Sequence, residues 1–340
     1  MLISGDIGGT NTRLQAICCQ TQQVLGIQRY QGADFESFEA ILAAFMEDQA
    51  IQATSVQAIC LAVAGPIAQG QVILTNLPWQ LSEAGIARAF GLKQRQVQLM
   101  NDFAAIGYGL PTLNENDYVT LQSGDKKTNA PMATVGAGTG IGMAIVQPGH
   151  PFAQVFPTEG GHQDFAPTDD EQIKLFEFLK RKLHRVSIER VCSGLGILNI
   201  FRFAEAHPVY QQRPDPELLR QLNQTQARSA AAKLIIHFAV NHHDPVALRT
   251  LDIFVRIYGS VVGNMALACL PYQGMYVTGG IGPHILTHLT DGRFLGHFLD
   301  KGRVSDTLKA VPLYIVTQAD VGLKGASEYG LCLINDQKML

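Results

Sequence analysis

The chain has 340 residues, 46% of them hydrophobic and 16% charged, with a formal net charge of −3. That length suits two domains or one large one with an ample core, and the balance excludes a disordered chain. The charge gives no electrostatic reason to expect nucleic acid, and the one basic cluster, Lys180 to Arg185, reads as a solvated face or a helix C-terminus.

The opening stretch, LISGDIGGTNTRL, reads as two β-segments, Leu2–Ile3 and Leu14–Ile17, around a turn at Gly8–Asn11. Glycines there let backbone approach a ligand, and successive turn amides form a concavity suited to phosphate oxygens. An acid beside a phosphate cradle needs a cation between them, so Asp6 points to Mg²⁺. The same residues also read as an ordinary hairpin with Asp and Asn as turn formers. Next come an extended piece, QQVLGIQRYQG, and a helical stretch, FESFEAILAAFMEDQ, with apolar residues at helical spacing. VQAICLAVAGPI is a buried strand ending at Gly65–Pro66, and QVILTNLPW is another extended piece. SEAGIARAFG is a short helix capped by Ser82 and stopped by Gly91. QVQLMNDFAAIGYGL is a strand running into a helix, with Asn101 and Asp102 at the junction.

The segment PTLNENDYVTLQSGDKKTNAP reads as a loop crossing into a second domain. MATVGAGTGIGMAIV then repeats the opening design of strand, glycine turn and strand. Gly136, Gly138, Gly140 and Gly142 alternate, which leaves one face of an extended chain bare. Ile141 stands where the third glycine of G-x-G-x-x-G would be and no helix follows at once, so a Rossmann reading fails. Three long helical tracts follow, DDEQIKLFEFLKRKLH, PELLRQLNQTQARSAAAKLIIHFAV and PVALRTLDIFVRIYGSVVGNMALACL. MYVTGGIGPHIL is a strand entering a helix across Gly279–Gly280, and PLYIVTQADVGLKGASEYGLCLI supplies a last strand and a closing helix. Two hairpin-plus-glycine units at the heads of two α/β halves suggest an internal duplication with the ligand between them.

The six cysteines, Cys18, Cys19, Cys60, Cys192, Cys269 and Cys332, form no C-x-x-C pair, which predicts free thiols in a reducing compartment. No unbroken apolar run reaches the roughly 18 residues of a membrane span. The N-terminus lacks a basic n-region, and cleavage there would remove the Asp6 loop. The expectation is a cytoplasmic protein with no membrane partner.

Six motifs, GDIGGTN, LMNDFAA, VGAGTGIG, TEGGHQDFAP, SIERVCSG and VTGGI, occur in the order and approximate spacing of the bacterial glucokinases, which this chain resembles nearly end to end. The resemblance implies an α/β, two-domain actin-like (hexokinase-type) ATPase fold with an internal duplication and an active-site cleft between domains. It implies a small domain over 1–112, completed by the helix at 320–340, and a large domain over 113–319. It further implies transfer of the γ-phosphate of ATP to the 6-hydroxyl of glucose, with Mg²⁺, no zinc, and a homodimer. Gly5, Asp6, Ile7, Gly8, Gly9 and Thr10 match the first phosphate loop, with Asp6 near the metal. Gly138, Thr139 and Gly140 match the second, and Gly279 and Gly280 the turn beside the adenosine. Asn101 and Asp102 match the sugar-binding pair, with Asp102 as general base, and Glu159, His162 and Glu189 match the other sugar ligands. Asn76 is similar to a further sugar-loop residue.

Taken alone, Asp102 reads as a helix N-cap, Glu189 as an acid in a helix's first turn, and His162 as a packed or exposed imidazole. A sugar with several hydroxyls needs convergent carboxylates, an amide and an imidazole, and that chemistry favours the functional reading. The repressor-related sugar kinases share the first loop but carry a cysteine-rich zinc site after the Glu–His motif. Here QDFAPTDDEQ follows His162 with no cysteine before Cys192, short of the four ligands structural zinc takes. The alternatives left open are a kinase for another hexose or amino sugar, and a non-enzymatic sugar-sensing actin-like ATPase.

Overall fold

The structure is a computed structural model that describes residues 1–8, 11–65, 67–74, 77, 79–149, 153–207, 212–225 and 227–339, the last few as main chain only. The chain divides into two compact units. Met1–Asn114, Gly149–Pro157 and Asp320–Leu340 form the first, and Glu115–Pro148 with Thr158–Ala319 the second.

The first unit carries strands β1 (Leu2–Ile7), β2 (Asn11–Ile17), β3 (Val24–Gln31), β4 (Ala58–Val63), β5 (Gln71–Ile73), β6 (Gln80–Ser82) and β7 (Val97–Asn101). Its helices are α1 (Phe38–Asp48), α2 (Glu83–Ala89), α3 (Asp102–Gly109) and the closing α12 (Val321–Met339). The main sheet has the order β3-β2-β1-β4-β7, antiparallel across β1 and β2 and parallel across β1, β4 and β7. Period-2 alternation explains why β4 is apolar throughout. Ile59, Leu61 and Val63 enter the core under α1 and α2, while Ala58, Cys60 and Ala62 enter the core under α12. Small residues seat α12: a Cβ on Gly325 would stand 1.7 Å from the Ala105 carbonyl oxygen of α3, so only glycine permits this approach. A polar seam of Ser4, Gln15 and Ser327 hydrogen-bonds beneath the same helix.

The second unit carries β8 (Tyr118–Gln122), β9 (Met132–Ala137), β10 (Ile141–Gln147), β12 (Gly274–Thr278) and β13 (Leu313–Val316), and β11 (Gln154–Thr158) leads into it. Neighbouring strands run β10-β9-β12-β13-β8, antiparallel across β9 and β10 and parallel across β9, β12 and β13. The pattern of a hairpin followed by two parallel strands therefore occurs in both units. Its helices are α4 (Asp170–Lys180), α5 (Gly194–Ala206), α6 (Pro216–Gln224), α7 (Arg228–His242), α8 (Pro245–Cys269), α9 (Leu286–Thr290), α10 (Arg293–Leu299) and α11 (Ser305–Lys309). By length and composition α8 could cross a membrane, but it is the core helix of this unit, with Phe254, Tyr258 and Val262 fully buried. Each such side chain contributes about 1.5–3 kcal/mol through burial. The Tyr258 hydroxyl accepts from Ala137 N–H at 3.1 Å and is within reach of the carbonyls of Val135 (3.2 Å) and Thr278 (3.3 Å). It thereby ties the ends of β9 and β12 together.

Three sequence expectations change. The stretch expected to be a loop contains the strand β8, half-exposed at the sheet edge beside β13. The helical tract beginning at Pro216 is two helices, α6 and α7, interrupted after Gln224. The chain after Gly279–Gly280 first forms a 3₁₀ turn, Gly282–Ile285, and only then α9.

Candidate active site

In the first unit, Gly8 N–H donates to the Asn11 carbonyl at 3.0 Å, closing the β1–β2 turn. Gly9, Thr10 and Asn76 lie outside the described residues. Ile7 is fully buried. Gly5 answers to packing, since a Cβ there would stand 2.6 Å from Leu14 Cδ2 and 2.8 Å from Leu61 Cδ2. The strand register sets Asp6 opposite Arg13, and Arg13 also pairs with Asp320, the residue before α12. Asp6 Oδ2 lies over the first turn of that helix, 3.9 Å from where a Cβ on Gly322 would be. Burial raises the Asp6 carboxyl above its ordinary pKa; the Arg13 cation works against this and Asp320 adds to it.

Because β1, β4 and β7 are parallel, Ile7 aligns with Val63 and Val63 with Asn101. Two strand spacings of about 4.8 Å set Asn101 about 10 Å from Ile7, at the carboxyl ends where α/β sheets bind ligands. The reading of Asp102 as the N-cap is corrected here. Asn101 is the cap, extended at φ −60°, ψ 144°, and its Oδ1 accepts from the N–H groups of Phe103 (2.9 Å) and Ala104 (3.3 Å). Asp102 is the first residue of α3, partly exposed, with Oδ1 accepting from Phe103 N–H at 3.0 Å.

In the second unit, Gly138 N–H donates to Gly140 O at 2.8 Å, closing the β9–β10 turn with Thr139 exposed at its tip. Gly194 N–H, at the start of α5, donates to Gly138 O at 2.8 Å. Gly279 has φ +87°, and a Cβ there would stand 2.5 Å from the Ala137 carbonyl oxygen. Only glycine fits that crossing of strand ends. A Cβ on Gly280 would meet nothing within 4 Å, so its backbone is open to approach.

Glu159 follows β11 and opens the turn Gly160–His162. Gly161 lets that turn lie on β10, its missing Cβ position being 2.5 Å from the Ile141 carbonyl oxygen. Glu159 Oε2 and His162 Nε2 are 3.8 Å apart and largely exposed, so they are available to a polyhydroxyl ligand. Glu189 sits in a first turn, as the residue taken alone suggests, but of a short 3₁₀ helix that follows Ser187 and not of α5. It lies in an isolated 3₁₀ turn, Ile188–Arg190, and α5 begins only at Gly194, capped by Ser193. Glu189 Oε2 accepts from Ile141 N–H at 3.4 Å, which brings it to the glycine turn. The expected site residues thus fall into two groups, Asp6, Asn101 and Asp102 in the first unit and Gly138, Gly140, Glu159, His162, Glu189 and Gly279 in the second.

Sequence reasoning missed Arg13, Asp320 and Tyr258. Arg13 had a signal, because it and Asp6 are equally spaced from the Gly8–Asn11 turn and must face each other in the hairpin. Among the described residues, no cluster of three or more His, Cys, Asp or Glu could hold a metal ion.

A family model described as Glucokinase matches residues 3–331 of the chain. The glucokinase of Trichormus variabilis is 36% identical over 338 residues, covering 96% of this chain and 98% of that relative. Among solved structures, glucokinase from an Antarctic psychrotroph has a TM-score of 0.79 at 32% identity, covering 98% of both chains. A ROK family glucokinase from Streptomyces griseus, in complex with glucose and AMPPNP, shares the fold with a TM-score of 0.61 at 17% identity, covering 96% of this chain and 98% of that one. The chain belongs to the glucokinase family and has its actin-like, hexokinase-type ATPase fold.

Proposed function

We infer that the chain transfers the γ-phosphoryl group of ATP to the 6-hydroxyl of glucose, giving glucose 6-phosphate and ADP. The observation that carries this is the junction at the end of β7: Asn101 caps α3 and Asp102 follows it at the carboxyl end of the parallel strands, where α/β sheets bind ligands. The Streptomyces griseus relative, in complex with glucose and AMPPNP, supports the same pair of substrates.

In this reading the proton of the 6-hydroxyl passes to the Asp102 carboxylate as O6 attacks the γ-phosphorus. The bond from the γ-phosphorus to the bridging oxygen breaks, and ADP leaves. A positioned base is worth about 10²–10⁴ in rate. Asn101, Asn76, Glu159, His162 and Glu189 hold the sugar so that O6 is in line. The segment Gly8–Thr10 and the turn at Gly138–Gly140 cradle the phosphates, and Gly279–Gly280 lies beside the adenosine. Mg²⁺ bound with ATP would neutralise phosphate charge; the partly buried Asp6 carboxyl beside the first turn fits the one or two carboxylates such an ion takes. The units carrying these groups are proposed as a small domain, 1–112 with 320–340, and a large one, 113–319. A cytoplasmic location and a homodimer complete the reading.

A site that hydrogen-bonds several ring hydroxyls rejects a sugar that lacks or inverts one, because a buried acceptor is then left unpaired. Glucose is therefore expected to exceed mannose, galactose, fructose and N-acetylglucosamine in kcat/KM by about tenfold or more each. Steady-state kinetics across the five sugars test this. A clear preference for any of the other four would reassign the enzyme to another hexose or amino sugar.

A further inference from the structure

The glycines of the second hairpin turn are not equivalent. A Cβ on Gly138 would meet nothing within 4 Å, whereas a Cβ on Gly140 would stand 2.5 Å from Glu189 Oε2 and 3.5 Å from its carboxyl carbon. The same oxygen accepts from the N–H of Ile141, the next residue along. The main chain of Glu189 is fixed, so a group added at position 140 would displace the carboxylate and not the turn. Its carbonyl accepts from Ser193 Oγ at 2.6 Å, and its turn is fixed by Ile188 N–H donating to Gln163 O at 2.9 Å. A methyl group at position 140 and the Glu189 carboxylate would compete for one space.

We propose that Gly140 is the positioning residue for Glu189, and through it for the sugar. The bare backbone lets one carboxylate oxygen rest on the hairpin turn and leaves the other for a ring hydroxyl. This rests on the glucokinase reading and extends it, because the turn that cradles phosphate then also fixes a sugar ligand. Two substrates that favour the same arrangement of one element bind with positive coupling.

The test is calorimetric titration of glucose, without nucleotide, into the wild type, Gly296→Ala, Gly140→Ala, Glu189→Ala and the Gly140→Ala/Glu189→Ala double variant. Gly140→Ala is expected to weaken glucose by about tenfold or more, and Glu189→Ala by at least as much. The double variant binds no more weakly than Glu189→Ala alone, since the clashing atoms are gone. It also keeps the test open should Gly140→Ala by itself be unstable. Gly296→Ala, in α10 outside the site and with a methyl that meets nothing within 4 Å, leaves glucose affinity within about twofold. Multiplying effects in the double variant, or unchanged glucose affinity in Gly140→Ala, would overturn the proposal. Absence of glucose binding to the wild type would instead overturn the glucokinase reading beneath it.

Discussion

Replacing Asp102 with alanine is expected to lower kcat by about 10²–10⁴-fold, the contribution of a positioned base. The expectation separates from a folding defect because of where the residue sits. Asn101 makes the capping hydrogen bonds of α3, so the helix start survives loss of the Asp102 carboxylate. What the fold loses is an acid in the first helical turn, typically about 0.3–1 kcal/mol, and a bond from Phe103 N–H, which Asn101 Oδ1 still accepts. Stability should therefore fall slightly while turnover nearly vanishes, and nucleotide affinity should change little. Steady-state kinetics beside a thermal melt check both halves. A variant keeping more than about a tenth of wild-type kcat would show that Asp102 is not the base.

The second large effect is expected at Asp6. Changing it to asparagine keeps the side chain's shape and removes its charge, and Arg13 retains Asp320 as an ion-pair partner, so the hairpin should hold. A carboxylate beside phosphates is favourable only through a cation or that cation's waters. Asp6→Asn is thus expected to lower kcat/KM for Mg·ATP by about 10–100-fold, the usual cost of disturbing a metal's supporting shell. Glucose affinity, measured by titration without nucleotide, should stay within about twofold, because this change adds no bulk and removes no sugar ligand. Equal losses in glucose affinity and in rate would make Asp6 a structural turn residue.

What could be read from the sequence was local. The β1–β2 hairpin, the helix cap at Ser82 and the helix stop at Gly91 follow from period and capping chemistry within a few residues. The antiparallel hairpin at the second glycine turn follows equally from the apolar runs flanking it. The strand β8 was illegible because an edge strand half-open to water carries polar residues such as Thr120 and Gln122 and reads as loop. The break between α6 and α7 lacks the glycine or proline that would announce it. Motifs pointed to Asp102 and Glu189, but their surroundings depend on contacts distant in sequence. That Asn101 rather than Asp102 caps α3 needs backbone angles, and the meeting of Glu189 with Gly140 needs the tertiary fold. Tyr258 was hidden on the buried face of α8, where a hydroxyl serving two strand ends leaves no periodic trace.

The central claim is that this chain phosphorylates glucose, and the most direct measurement is ADP release from Mg·ATP by the purified protein with and without glucose. The predicted result is ADP release that depends on glucose, with glucose 6-phosphate formed mole for mole. ADP release at the same rate without sugar, or none with it, would contradict the claim.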